Sequence, residues 1–323
     1  MQQNGPKYES HLAPLRIIFA GSGEFGLKSL EALHQRHHVI QVISQPDRPA
    51  GRGRHLHPTP ISAAALASDL PLERTEDINS RQWPDCDVLV VIAFGQKISP
   101  EVASAPKFGS VNLHASLLPK FRGAAPIPHT ILAGDSITGN SVIRLSPRMD
   151  AGAVLGQSRL TIGELETSKE LHDRLAADGP ALLLRVLDDL AAGRAVETPQ
   201  DESQSSRAGK LSRADARLDF LDAAATALKI RALWQWPACH VRLLDAAGGE
   251  MDSLSLVRAR VVPGEGSRWK AGEIDGGGAV SAGDGALAVE ILELQPAGGR
   301  PMTLEDYRRG HSWMPGMKLV APK

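Results

Sequence analysis

An amide and an imidazole stand two residues apart at Asn112 and His114, and a carboxylate follows at Asp150. Alternate residues of a strand share a face, so a strand through 110–114 presents both side chains together. The amide can donate to an oxygen that gains negative charge. The imidazole titrates near neutral pH and can move a proton. A carboxylate can orient that ring and favour its charged form. The three together suit acyl transfer, in which a carbonyl oxygen carries charge in passing. An isolated Asn-x-His is more often an ordinary polar strand end. Here it is accompanied by Ser116-Leu117-Leu118-Pro119, Arg122-Gly123 and Asp150-Ala151-Gly152.

Other segments carry chemistry of their own. Residues 46–58 place Arg48, Arg52, Arg54, His55 and His57 among glycines and prolines. A flexible basic loop of this kind suits contact with an RNA backbone, although a solvated surface loop has the same composition. Gly21-Ser22-Gly23-Glu24-Phe25-Gly26 has the spacing of a dinucleotide-binding turn, with Asp47 further along. Taken alone it argues for a nicotinamide-dependent oxidoreductase. Lys210, Arg213, Arg217, Lys229 and Arg231 gather later in the chain, where they could meet phosphates or form a solvated face. Trp234 and Trp236 could stack on bases, with internal packing as the favoured role.

The elements that must position these residues follow from hydrophobic patterning. Strands are expected at 15–20, 38–44, 88–93 and 110–114, and helices at 29–33 and 61–67. This alternation argues for a doubly wound, mostly parallel α/β sheet. Ligands of such sheets bind beyond the carboxyl ends of the strands, where Asn112, His114, Phe94 and Gly95 would lie. Thr167 and Glu170 form a capping-box pattern ahead of a helix, with a break expected at Gly179-Pro180. Residues 197–209 are polar and aperiodic and are expected to be a linker. Beyond it come a helix at 223–233 and short β-like runs at 240–244, 254–262, 279–281 and 286–294, separated by glycine turns. These suggest a small barrel. The expected organisation is a flexible arm at 1–14, a catalytic domain at 15–196, the linker and a C-terminal domain at 210–323.

The motifs also resemble a known family. Leu15–Gly21 with Glu24-Phe25, the run Gln45–Gly53, Val90–Gly95, the Asn112–Gly123 segment, Asp150-Ala151-Gly152, Lys210-Leu211-Ser212 and Gln295-Pro296-Ala297-Gly298 occur in the order found in the folate-dependent formyltransferases. Within that family they are most similar to the branch acting on methionyl-tRNA. The resemblance implies a Rossmann-like catalytic domain and an OB-like C-terminal domain that binds tRNA. It implies transfer of a formyl group from 10-formyltetrahydrofolate to the α-amino group of methionine on initiator tRNA, through a tetrahedral intermediate. Asn112, His114 and Asp150 would be catalytic. Phe94, Gly95, Ser116, Leu117, Leu118 and Pro119 would line the folate site. Arg48, Arg52, Arg54, Lys210 and Lys229 would contact tRNA. Arg122-Gly123 could hold a loop or meet a phosphate, with loop structure favoured. No metal and no nicotinamide are expected. The chain differs from the family at Phe121, where tryptophan is usual, at Ala153-Val154, and at Ser205-Ser206-Arg207, where a tyrosine is common.

Composition fits this picture. The chain has 323 residues, 42% hydrophobic and 23% charged, so it is expected to be globular. No run approaches the ~20 apolar residues of a membrane span. The N-terminus lacks the apolar core of a signal peptide, and Cys86 and Cys239 fit no metal spacing. A cytoplasmic monomer with no obligate protein partner is expected. The net charge of −1 excludes a broadly basic nucleic-acid binder, so any RNA contact must come from local patches.

Overall fold

The structure is a computed structural model that describes residues 13–50 and 55–322. The expected arm therefore lies outside the described residues apart from Ala13 and Pro14. Arg52 and Arg54 lie outside them too.

The chain divides into two compact units. The first holds the described residues up to Arg122, with Gly139–Leu160 and Asp173–Arg207. The second holds Gly123–Thr138, Thr161–His172 and the chain from Ala208 onward. The division is thus not made at a single point. Segments 123–138 and 161–172 fall within the expected 15–196 domain but belong to the second unit.

The first unit is built on seven strands: β1 (Arg16–Gly21), β2 (His38–Ser44), β3 (Leu72–Arg74), β4 (Val88–Ile92), β5 (Ser110–His114), β6 (Ser141–Arg144) and β7 (Val154–Gln157), in the order β7-β6-β5-β4-β1-β2-β3. β5, β4, β1, β2 and β3 are parallel, and β6 is antiparallel to both its neighbours. The strand order reverses between β1 and β4, the switch point at which such sheets leave a crevice. β4 is buried along its whole length, and Ile17, Phe19, Val90 and Ile92 are fully enclosed. A strand covered on both faces reads as a continuous apolar run, which is why these segments stood out in the sequence.

Helices pack beside this sheet. α1 spans Leu27–Arg36 and α2 spans Pro60–Ala67. α2 starts where Thr59 Oγ1 accepts from the Ser62 amide at 3.0 Å, with Pro60 in the first turn. The long helix at Ser168–Ala191 begins in the expected capping box. Thr167 N donates to Glu170 Oε2 at 2.8 Å, and Glu170 N donates to Thr167 Oγ1 at 3.4 Å. Burial opposes the charge on Glu170, but hydrogen bonds from Arg258 and Thr167 outweigh it and hold the carboxyl at about 2.

The break expected at Gly179-Pro180 does not occur, and the helix runs on through Pro180. A mid-helix proline costs about 3 kcal/mol. Leu175 lies before it and Leu182, Leu183, Val186, Leu187 and Leu190 after it, all buried. At ~1.5–3 kcal/mol for each buried side chain, packing on both sides outweighs the local penalty. Gly179 adds a close approach, since a Cβ there would lie 2.7 Å from Leu113 Cδ2 on β5.

Buried His37 ties the start of β1 to the start of β2. Leu15 N donates to its Nδ1 at 3.3 Å, while Nε2 has no partner among the described residues. Burial, then the neighbouring Arg36 charge, lowers its pKa from the ordinary 6.5. The unfolded chain therefore takes up this proton more readily than the folded one. His37 supports the fold above about pH 6.5, and that support is lost as the pH falls towards the folded value. Melting temperature measured from pH 7 to pH 5 should fall less steeply in His37→Gln than in the wild type. Parallel curves would remove His37 as the source.

The second unit carries the helix Ala223–Leu233 and strands β8 (Cys239–Leu244), β9 (Glu250–Pro263), β10 (Val280–Ala282), β11 (Leu287–Pro296) and β12 (Lys318–Val320). Their antiparallel order is β10-β11-β9-β8-β12. Bridges from Glu273 to Lys318 and from Ile274 to Val280 nearly close the sheet into a barrel. This is the OB-like architecture. Among the described residues, no helix is long and apolar enough to cross a membrane. Burial pushes the thiols up, to about 11 at Cys86 and about 12 at Cys239, so neither is a reactive thiolate.

Candidate active site

The centre of the first unit's sheet fixes Asn112 and His114. Asn112 pairs with Val91 on β4 and with Ile143 on β6, and His114 pairs with Ser141. Both side chains leave one face at the carboxyl end of β5. Leu113 leaves the other and meets Gly179. The half-buried amide of Asn112 makes no hydrogen bond to another described residue, so its donors are available to a ligand.

The imidazole of His114 is buried between two acceptors. Nε2 lies 2.9 Å from the Phe121 carbonyl oxygen. A carbonyl only accepts, so Nε2 carries a proton. Nδ1 faces Asp150 Oδ2 at 3.7 Å, with side-chain exposures of 7% and 15%. In the neutral ring Nδ1 presents a lone pair to the carboxylate. A proton on Nδ1 would be an N–H facing the carboxylate, so the geometry suits proton transfer on this side.

The backbone around this pair is unusual. Ala93, Phe121 and Asp150 have φ of 46°, 63° and 53°. Left-handed conformations are uncommon for residues other than glycine and gather at functional sites. Gly152 is required by space, because a Cβ would lie 1.9 Å from the Arg144 carbonyl oxygen.

The segment read as a linker is pinned to this loop. Gln200 Nε2 donates to the carbonyls of Asp150 and Gly152, each at 2.8 Å. Gln200 Oε1 accepts from Arg122 Nε and Nη2 at 3.0 and 2.7 Å. Arg122 also pairs with Glu202 at 3.0 Å, so its guanidinium, with Gln200, joins three segments of this loop region. Sequence reasoning missed Gln200, because an aperiodic polar stretch carries no signal of where its side chains land.

The Ser116–Pro119 segment is held rigidly. Ser141 Oγ donates to the Ser116 carbonyl at 2.6 Å and accepts from Leu118 N at 3.1 Å. Gln157 Nε2 donates to the Leu118 carbonyl at 2.9 Å. Leu118 and Ser116 are buried, while Leu117 and Pro119 are half-buried. Phe94 needs correction. Its ring is 2% exposed and packs with Ile18, Ala20, Ile43, Ile78, Leu89 and Val91, so it is a core residue rather than an open wall. What this strand end offers is backbone. Gln45 Nε2 donates to the Phe94 carbonyl at 2.7 Å, and Gly95, with φ 79°, leaves room for that amide.

The glycines of the 21–26 turn are explained by packing. A Cβ at Gly21 would lie 2.6 Å from Phe19 Cε1, and one at Gly26 3.2 Å from Phe19 Cζ. The amides of Ser22 and Gly23 both donate to the Ala93 carbonyl at 3.3 Å, and Asp47 pairs with Arg74 at 2.8 Å. The groups that would cradle a pyrophosphate and ribose are engaged within the protein.

Two short strands lie within the basic loop at 46–58. Arg48–Ala50 pairs antiparallel with His55–His57. Arg48 is exposed, and its Nη2 donates to Gln45 Oε1 at 2.6 Å.

In the second unit, Lys210 is exposed, whereas half-buried Lys229 donates to the Arg217 carbonyl at 3.2 Å. Arg231 leaves the basic cluster, being buried and donating to the Glu166 carbonyl at 3.0 Å. Trp236, for which packing was expected, is 61% exposed, and the Arg213 guanidinium stands 6.0 Å from its ring centre. These two, with Trp234, His240, Ser255 and Gln295, line an open cavity of about 380 Å³.

Comparison with known proteins agrees with this architecture. Residues 15–187 match the formyl transferase domain, and residues 210–312 match the formyl transferase C-terminal domain. The chain is 39% identical to a methionyl-tRNA formyltransferase of Methylococcus capsulatus, covering 92% of this chain and 97% of that protein. It is also 39% identical to a methionyl-tRNA formyltransferase of Xanthomonas euvesicatoria, covering 94% and 100%. Among solved structures, an N-formyltransferase from Helicobacter canadensis superposes with a TM-score of 0.64 at 15% identity, covering 86% of this chain and 99% of that one. HypX from Aquifex aeolicus superposes with a TM-score of 0.58 at 18% identity, covering 91% and 47%. At such identities the structural likeness concerns the fold. The sequence matches go further, and by them the chain belongs to the formyl transferase family.

Proposed function

We propose that the protein is a methionyl-tRNA formyltransferase, which moves the formyl group of 10-formyltetrahydrofolate to the α-amino group of methionine on initiator tRNA. The observation that carries this reading is the Asn112 side-chain amide, without a hydrogen-bond partner among the described residues, beside a His114 ring whose Nδ1 faces Asp150 Oδ2 at 3.7 Å. The names of the relatives support the choice of donor and acceptor. The donor supplies an activated carbonyl. Asn112 stabilises the charge that grows on the formyl oxygen as the amine attacks. The His114–Asp150 pair takes the proton that the amine releases, on the Nδ1–carboxylate side because Nε2 is committed to the Phe121 carbonyl, and returns one to the folate nitrogen as the old C–N bond breaks. The locked Ser116–Pro119 segment forms one wall of the donor site. Translation is then the setting, and the cytoplasm the place.

Arg48, with Arg52, Arg54 and Lys210, contacts the acceptor RNA. Lys229 contributes once it leaves the Arg217 carbonyl, and Trp236 beside Arg213 offers a stacking face. The test is to incubate the protein with 10-formyltetrahydrofolate and either methionyl initiator tRNA or an amino-sugar nucleotide. Formyl appearing on the sugar and not on methionine would reject the reading.

Arg48→Ala should leave the fold intact, because the side chain is exposed on a short strand. Its efficiency on tRNA should fall about tenfold at low salt, the size of one charged hydrogen bond. The log–log dependence on salt should flatten by about one unit, as for one lost phosphate contact. Equal efficiencies across a salt series would remove Arg48 from recognition.

A further inference from the structure

We propose that Gln200 is a positioning residue that sets Asp150 against His114. The inference rests on the reading of that pair as the proton-handling group. His114 is gripped on one nitrogen by the Phe121 carbonyl and faces Asp150 with the other. The backbones carrying these two acceptors are remote in sequence, yet one side-chain pair ties them together. Gln200 spends its two N–H bonds on the carbonyls of Asp150 and Gly152, at 2.8 Å each. Its oxygen takes two N–H bonds from Arg122, the residue next to Phe121. The carboxamide cannot be reversed, because that would set N–H against guanidinium and oxygen against two carbonyls.

The same stretch of chain braces the Phe121 side. Ser206 Oγ accepts from Phe121 N, and the Ser206 carbonyl accepts from Arg122 N, both at 2.9 Å. Residues 200–206 thus act as a calliper across the imidazole. Asp150 needs such a hold. Its φ of 53° is disfavoured for a residue with a Cβ and persists only where the surroundings over-determine it. Misplacement of a reacting group by about 1 Å can cost a factor of ~100. Gln200 itself does not reach the reacting atoms in this scheme.

The test compares Gln200→Leu, Asp150→Asn and the double variant by kcat, by KM for 10-formyltetrahydrofolate and for methionyl-tRNA, and by melting temperature. Gln200→Leu keeps the volume and removes the amide. It should lower kcat by about tenfold or more while each KM stays within about twofold. The double variant should be no slower than Asp150→Asn alone, since a residue acting through Asp150 has nothing left to act on. If Gln200→Leu fails to fold, Gln200→Glu keeps the Arg122 contact, loses both donated hydrogens and should show the same kcat loss. Near-normal kcat in the Gln200 variants, or losses that multiply with Asp150→Asn, would overturn the proposal and leave the catalytic reading standing. Wild-type kcat in Asp150→Asn would instead defeat that reading, and the role of Gln200 with it.

Discussion

His114→Ala and Asn112→Ala should each lower turnover by about 100-fold or more, the usual cost of removing a general acid–base group or one oxyanion donor. The two losses should differ in kind. The Asn112 side chain makes no hydrogen bond to another described residue, so its loss should leave the melting temperature almost unchanged and cost only transition-state stabilisation. His114 donates to the Phe121 carbonyl from a buried position, so its loss also strands an acceptor. A destabilisation of about 1–3 kcal/mol should accompany it. Steady-state kinetics with circular dichroism on the same samples separates folding from chemistry. Turnover within a few-fold of wild type on folded protein would exclude the altered residue from the mechanism.

Gly152→Ala should be as damaging, for a backbone reason. The added methyl would sit 1.9 Å from the Arg144 carbonyl oxygen, on the edge strand's neighbour β6. No rotamer change relieves this, because both partners are main chain. The loop must move, and with it the Arg144 N–H to Ala153 O bond of 2.9 Å and the Gln200 contact to the Gly152 carbonyl. A stability loss above about 2 kcal/mol is expected, together with a fall in kcat resembling that of Asp150→Asn. Chemical denaturation and single-turnover formylation would measure the two parts. Wild-type values in both would mean that the loop has another conformation open to it.

Much of this was legible in the sequence, and physics explains what was not. Strands β1 and β4 were readable because enclosure on both faces demands unbroken apolar runs, and β2 and β5 from shorter apolar positions between polar ones. The shared face of Asn112 and His114 followed from strand pitch alone. Phe94 was misread because an aromatic at a strand end looks the same whether it lines a pocket or fills a core. Its neighbours Ile18, Ile43 and Ile78 come from other segments, so only the strand order decides. Pro180 was misread because the local penalty was visible and the compensating burial was not. The strand at Arg48–Ala50 was hidden by Pro49, which is tolerated in this short, exposed ladder. Gln200 and Arg122 act through bonds to the main chain of distant residues, and such bonds leave no periodic trace.

The meeting of Gly179 with Leu113 has a consequence for how such a chain can vary. The long helix rests on the back of the strand that carries Asn112 and His114, and one missing methyl sets the thickness of that layer. Leu113 and Gly179 therefore behave as one shared volume. A larger residue at 179 is tolerable only if 113 gives up the same space. Sequences that keep the same chemistry should change these two positions as a pair, even though neither side chain ever meets a substrate.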